Sequence, residues 1–195
     1  MIASVPTSAP VLAGCQVGAN PIIWSNDDFN DLAGDVPLDV ILREMHAAGF
    51  AGSELGHAYP RTSAALGEAL NRHHLKLVSG WHSSYLAGND YAAEEQTFQA
   101  HLALLKSLGA PVIIVAECTR CVHGQRDTAL GFGDHDRPRL TEAEWPRLCA
   151  GLTKFAALSA AAGLKLVYHH HMGTVIQSEA ELDRLLAGAP AMHLL

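Results

Sequence analysis

Short apolar runs alternate with helical patterns along nearly the whole chain, and this alternation restricts the fold more than any other feature. The apolar runs predict strands at residues 11–17, 50–55, 75–79, 112–116 and 164–168, with a sixth starting at residue 192. Between them apolar residues return at helical spacing: Val40, Ile41, Met45 and Ala48; Leu66 and Leu70 within 62–74; Phe98, Leu102, Leu105 and Leu108 within 94–108. Two more helices are expected over 141–162 and 178–187. Gly49, Gly109 and Gly163 stand where a helix needs a C-terminal cap. Thr141 with Glu144, and Ser178 with Glu181, have the spacing of a capping box. Strand–helix–strand units repeated in this way build a parallel sheet through right-handed crossovers. The class is α/β, and both a doubly wound sheet and a (β/α)8 barrel satisfy the rhythm.

With 49% hydrophobic and 17% charged residues, the 195-residue chain can bury the core of one domain. A net charge of −7 with no basic tract argues against nucleic acid as a partner. No apolar run approaches the roughly 18–20 residues that span a bilayer, so no membrane association is expected. Residues 1–10 lack the charged and apolar regions of a secretory signal and read as a flexible N-terminus. Four scattered cysteines do not make a disulfide framework, and a cytoplasmic location is expected. A closed barrel has eight strands and typically about 250 residues. Five βα units and the start of a sixth strand therefore predict an incomplete barrel, one partial domain over 1–195.

The polar residues collect after the strands, where parallel α/β folds bind ligands. His169-His170-His171 directly follows the apolar run Leu164–Tyr168. Side chains alternate along a strand, so His169 and His171 share a face and His170 takes the other. Two imidazoles on one face are a plausible half of a metal site; a surface histidine cluster is the alternative. Cys118 and Cys121 have a spacing used for zinc or redox chemistry, but only His123 and His135 lie near as further ligands, and incidental thiols in the long 118–140 loop are favoured.

Three stretches carry a family resemblance: Asn20-Pro-Ile-Ile-Trp-Ser-Asn-Asp-Asp28, Gly49-Phe-Ala-Gly-Ser-Glu-Leu-Gly-His57 and Tyr168-His-His-His-Met-Gly-Thr-Val-Ile-Gln177. Gly80-Trp81, Ala116-Glu117 and Arg137-Pro138 accompany them in order. Together they resemble the myo-inosose-2 dehydratases, within the xylose isomerase-like TIM barrels. The resemblance implies a (β/α)8 fold and the removal of water from 2-keto-myo-inositol in inositol catabolism. It also implies a divalent ion such as manganese or cobalt, and glutathione in some members. Imidazole and carboxylate donors would suit zinc as well. Ala58 replaces a lysine usual in the family, and the next strand-end motif, Asp-Thr-Gly-His, would fall beyond Leu195.

Dehydration beside a ketone needs a base for the acidic C–H proton, an acid for the departing hydroxide, and stabilisation of the enolate. Glu117 and Glu54, each ending a strand, are the candidate carboxylates, with Glu117 expected to open into the mouth as base or metal ligand. Ion-paired or capping glutamates are the alternative. His82 is the candidate for proton transfer. His169, where many relatives carry a metal-binding glutamate, and His171 are the candidate metal ligands. Trp24, Asn26, His57, Trp81, His170 and Thr174 are the candidate contacts for a cyclitol or keto-sugar. Two other functions remain open: a keto-sugar isomerase or epimerase on the same barrel, and a non-catalytic sugar-binding chain. A homo-oligomer is compatible with each.

Overall fold

The computed structural model describes residues 15–29, 31–32, 34–130 and 137–195. The expectations for residues 1–14, including the flexible start and most of the first strand, and for His135 lie outside them. Six strands, β1 (Gly18–Ala19), β2 (Gly52–Leu55), β3 (Lys76–Ser84), β4 (Val112–Glu117), β5 (Lys165–Tyr168) and β6 (His193–Leu194), alternate with five helices. These are α1 (Leu38–Ala47), α2 (Ser63–Arg72), α3 (Tyr91–Ser107), α4 (Glu144–Ala162) and α5 (Glu179–Gly188). The strands pair in parallel in the order β1-β2-β3-β4-β5-β6. That order decides between the two architectures. A doubly wound sheet reverses direction at a switch point, whereas same-handed crossovers to successive neighbours put every helix on one face and curl the sheet. The structure is a curled parallel sheet that forms part of a barrel wall.

One sheet face packs on the helices and the other faces the barrel interior. Leu77, Ile113, Val115, Leu166 and Tyr168 point to the helices and meet Ile41, Met45, Leu66, Phe98, Leu105, Leu148, Leu152 and Phe155, all buried. Each such side chain contributes roughly 1.5–3 kcal/mol when fully buried. Phe98 and Phe155 stack at 3.9 Å between centroids and join α3 to α4.

Among the described residues the first strand begins at Gly18, after residues 15–17 of the expected run. Cys15 to Val17 are exposed, and the ladder starts where Ala51 N donates to Val17 O. A Cβ on Gly18 would come within 2.8 Å of Val78, so only a residue without a side chain closes this edge. The third strand is longer than expected. Its pairing continues from β2 onto β4, with Trp81 opposite Ile114 and Ser84 opposite Glu117. Gly80 is therefore mid-strand, where a Cβ would reach 2.9 Å from Leu105 and 3.0 Å from His101. Helix α3 starts at Tyr91 rather than Glu94, capped by Asp90 accepting from Ala92 N at 3.0 Å. Ser178 and Glu181 form the expected capping box. Thr141 and Glu144 do bond, at 2.7 and 3.0 Å, but α4 opens only at Glu144, which also pairs with Arg120.

Candidate functional site

A register shift in β2–β3 assembles the first part of the site. Ser53 pairs with Leu77, but Glu54 pairs with Ser79, leaving Val78 as the extra residue. Such a bulge re-aims the side chains that follow it. Ser79 thereby reaches Glu54, donating to Oε2 at 2.5 Å, while Asn20 at the end of β1 donates to Oε1 at 2.7 Å. Burial pushes the Glu54 carboxyl above the usual range, against the Ser79 bond and together with the nearby Asp27 charge.

After the bulge the alternation of β3 is fixed. Trp81 and Ser83 are half-buried on the interior face, and Trp81 Nε1 donates to Ser83 Oγ at 2.9 Å. His169 extends the β5 ladder through its N–H to Val115 O at 2.9 Å. Its ring meets Trp81 edge-on at 5.2 Å, and His171 meets the same indole at 6.0 Å. The two imidazoles lie 5.6 Å apart. Burial, then His171 and His170, hold the His169 pKa below the ordinary value, which favours neutral imidazole. His171 is oriented by its Nδ1–H to Met172 O at 2.8 Å. Gly173 then turns the chain at φ 76°, with its N–H on Gln177 Oε1.

His123, considered from the sequence only as a ligand beside Cys118 and Cys121, is placed with the histidine turn instead. The loop after β4 docks on this turn, Val122 N donating to Gly173 O at 2.8 Å. A Cβ on Gly173 would lie 3.0 Å from His123 N. This approach seats the His123 ring 4.9 Å from His171, with Nε2 3.7 Å from Asp28. The signal available was Asp28 in the first quoted stretch, but nothing in one dimension pairs it with a residue so far along the chain.

Several candidates are placed elsewhere. His82 is a correction: it points to the helix layer, 5.3 Å from Phe98, 5.8 Å from His101 and 6.1 Å from Phe155. Burial and His101 lower its pKa to about 4. Glu117 is also a correction in direction. It is fully buried on the helix side and does not open into the mouth. It accepts from Ser84 Oγ (2.9 Å), Leu86 N (3.0 Å), Ala87 N, Thr119 N (3.2 Å) and Thr119 Oγ1. Burial raises its pKa despite these bonds. The reason is the strand period, which puts Glu117 on the face of Ile113 and Val115.

Thr174 is buried and donates to His171 O at 2.7 Å, so its hydroxyl braces the turn instead of facing ligand. Trp24 donates to Glu44 Oε2 at 2.7 Å and packs towards α1, not as a wall of the mouth. Asn26 accepts from Asp28 N and Phe29 N, holding its own loop. His57 binds Asp27 through Nδ1 at 2.5 Å and approaches Ser25 at 3.4 Å. His170 is exposed. Cys118 and Cys121 are free thiols. Among the described residues no group of three or more His, Cys, Asp and Glu side chains is placed to hold a metal ion. With Glu117 turned away, the two imidazoles of His169 and His171 are only part of a ligand set among the described residues.

The fold is that of a xylose isomerase-like TIM barrel. Within that class, the sequence relatives of this chain are inosose dehydratases. The inosose dehydratase of Clostridium perfringens is 40% identical over 171 residues, covering 88% of this chain and 57% of that protein. That of Geobacillus thermodenitrificans is 39% identical over 171 residues, 88% of this chain and 56% of the relative. The rhizopine catabolism protein MocC of Rhizobium meliloti is 41% identical over 182 residues, 90% of this chain and 53% of that protein. The chain thus spans a little over half the length of the curated relatives it matches. No family model matches it. Among solved structures, the D-allulose 3-epimerase of Methylomonas sp. aligns with a TM-score of 0.63 at 16% identity, over 92% of this chain and 61% of that one. A xylose isomerase-like TIM barrel protein of Mycobacterium smegmatis, in complex with magnesium, aligns with a TM-score of 0.64 at 15% identity, over 93% and 64%. These likenesses show the fold. Among the described residues no helix is long and apolar enough to cross a membrane.

Proposed function

We propose that this chain carries the first part of an inosose dehydratase barrel, acting on 2-keto-myo-inositol as a hydro-lyase in inositol catabolism. The observation that carries the reading is 39–41% identity to inosose dehydratases and MocC over 88–90% of the chain. The site supports it chemically. The Trp81 indole offers an apolar wall for a cyclitol ring, with His169 and His171 beside it. Neutral His169 can accept a hydroxyl proton or hydrogen-bond to a keto oxygen. Glu54, its pKa raised by burial, is the carboxyl group suited to proton exchange with a ligand, and Ser79 and Asn20 fix its orientation. Ala58, replacing the family's usual lysine, removes one cation from the neighbouring loop.

A divalent ion, manganese or cobalt with zinc as a further option, belongs to the proposal through the family resemblance. It would polarise the keto oxygen and stabilise the enolate. His169 and His171 are the two groups this chain would lend it. Glutathione dependence, a cytoplasmic location and assembly into a homo-oligomer are part of the same proposal. The test is incubation with scyllo-inosose, following dione absorbance with and without manganese, cobalt and glutathione, beside a calorimetric titration of the ligand. Dione formation supports the dehydratase. Conversion of keto-sugars without dione replaces it by an isomerase or epimerase, and binding without turnover by a sugar-binding chain.

A further inference from the structure

Cys118 and Cys121 play no part in the chemistry above, yet the fold has brought them together. β4 ends at Glu117, and the next four residues close a turn in which Cys121 N donates to Cys118 O at 3.0 Å. Arg120 takes the left-handed conformation, φ 59°, that lets so tight a turn close. A backbone turn of this kind holds its first and fourth Cα atoms within about 7 Å, and a disulfide needs roughly 4.4–6.8 Å. The two thiols are near enough to perturb each other's acidity, and Ser83 hydrogen-bonds Cys118. Their environments differ: Cys118 is buried at 2% exposure, whereas Cys121 is partly open to solvent.

We propose that Cys118 and Cys121 form a reversible intrachain disulfide, an oxidation site at the rim of the barrel mouth. With a hydroperoxide as oxidant, the Cys121 thiolate attacks one peroxide oxygen. The O–O bond breaks, hydroxide leaves and takes up a proton, and Cys121 becomes a sulfenic acid. The Cys118 sulfur then attacks that of Cys121, the S–O bond breaks, and the hydroxyl leaves as water. Two thiols and one hydrogen peroxide give one disulfide and two waters, the thiols losing two electrons. The ring so closed contains Thr119, whose N–H and hydroxyl hold Glu117, and is followed by Val122, which docks on Gly173. Oxidation therefore fixes the segment that leads from the buried carboxylate to the His171 turn. Burial is the largest cause raising both thiol pKa values, that of Cys118 to about 12, and only the thiolate attacks a peroxide, so oxidation speeds up as pH rises.

Arg120 lies between the two cysteines, which gives the test its readout. The chain is treated with one equivalent of hydrogen peroxide, its remaining thiols are alkylated, and it is cut with trypsin without reductant. Peptides 107–120 and 121–126 are expected to stay joined and to separate on adding dithiothreitol, with two of the four thiols lost. The rate should rise several-fold from pH 7 to pH 8.5. In Cys121→Ser the joined pair is absent. Irreversible sulfinic acid on Cys121, linkage to Cys15 or Cys149, a dimer on a non-reducing gel, or four alkylated thiols would each overturn the proposal. The wild-type peptide map decides even if the variant does not fold.

Discussion

Trp81 and His82 are neighbours in sequence and belong to different parts of the molecule. Trp81 lies on the interior face with His169 and His171 and is half-buried. His82 faces the helices among Phe98, His101 and Phe155, and its Nε2 has no hydrogen-bond partner among the described residues. The same contrast separates Glu54 from Glu117. Glu54 is held by two side chains on the interior face, whereas Glu117 is saturated by five donors on the other. The helix-side polar groups are enclosed within the fold, while Trp81, Glu54 and His169 on the interior face stay partly exposed. A titratable residue at a strand end is thus one of two things, and the face decides which.

The largest expected effect breaks the comparison most directly. Glu117→Ala leaves buried N–H and hydroxyl donors unpaired and should cost about 3–5 kcal/mol in urea unfolding. A variant that unfolds like wild type but loses ligand binding would move Glu117 to the functional side.

Next is acid sensitivity. The unfolded chain protonates His82 near its ordinary 6.5, but the folded chain resists down to about 4. The unfolded state therefore binds more protons in this window, and stability falls as pH drops from 6.5 towards 4, by about 3 kcal/mol at most. His101, also lowered by burial, acts in the same direction. Unfolding curves at pH 7 and 4.5 should differ less in His82→Leu than in wild type; an unchanged difference would show that His82 is not the group refusing the proton.

Gly173→Ala comes third, at roughly 1–3 kcal/mol, because a Cβ meets the immovable His123 backbone at positive φ. The smallest stability change is predicted on the interior face. His169→Ala should shift unfolding by no more than about 0.5 kcal/mol yet abolish calorimetric binding of scyllo-inosose. Substantial destabilisation instead would make His169 a structural residue and erase the contrast.

Most helices were legible because their signals are local. Gly49, Gly109 and Gly163 take the positive φ that their positions require, and Ser178 with Glu181 caps α5 as the spacing indicates. β4 was legible as a continuous apolar run. The limits of β1 and β3 were not, since pairing with Gly52 and with β4 sets them. In the site, only the shared face of His169 and His171 followed from strand alternation. The alternation of β3 itself could not be phased, because the shift at Val78 adds one residue. The role of Trp24 depended on Glu44 Oε2, a partner twenty residues along the chain, whereas Asn26 and Thr174 bond to backbone groups two or three residues away that only the folded loops orient.

The sequence by itself determined a βα succession and the ends of strands at which polar chemistry collects, since caps, apolar runs and spacing act over a few residues. Only the tertiary structure decided that successive strands wind in one direction, which side of the sheet each titratable group occupies, and that His123 joins His171. Those outcomes depend on pairing register and loop docking between residues far apart in the chain, where one inserted residue exchanges the two faces.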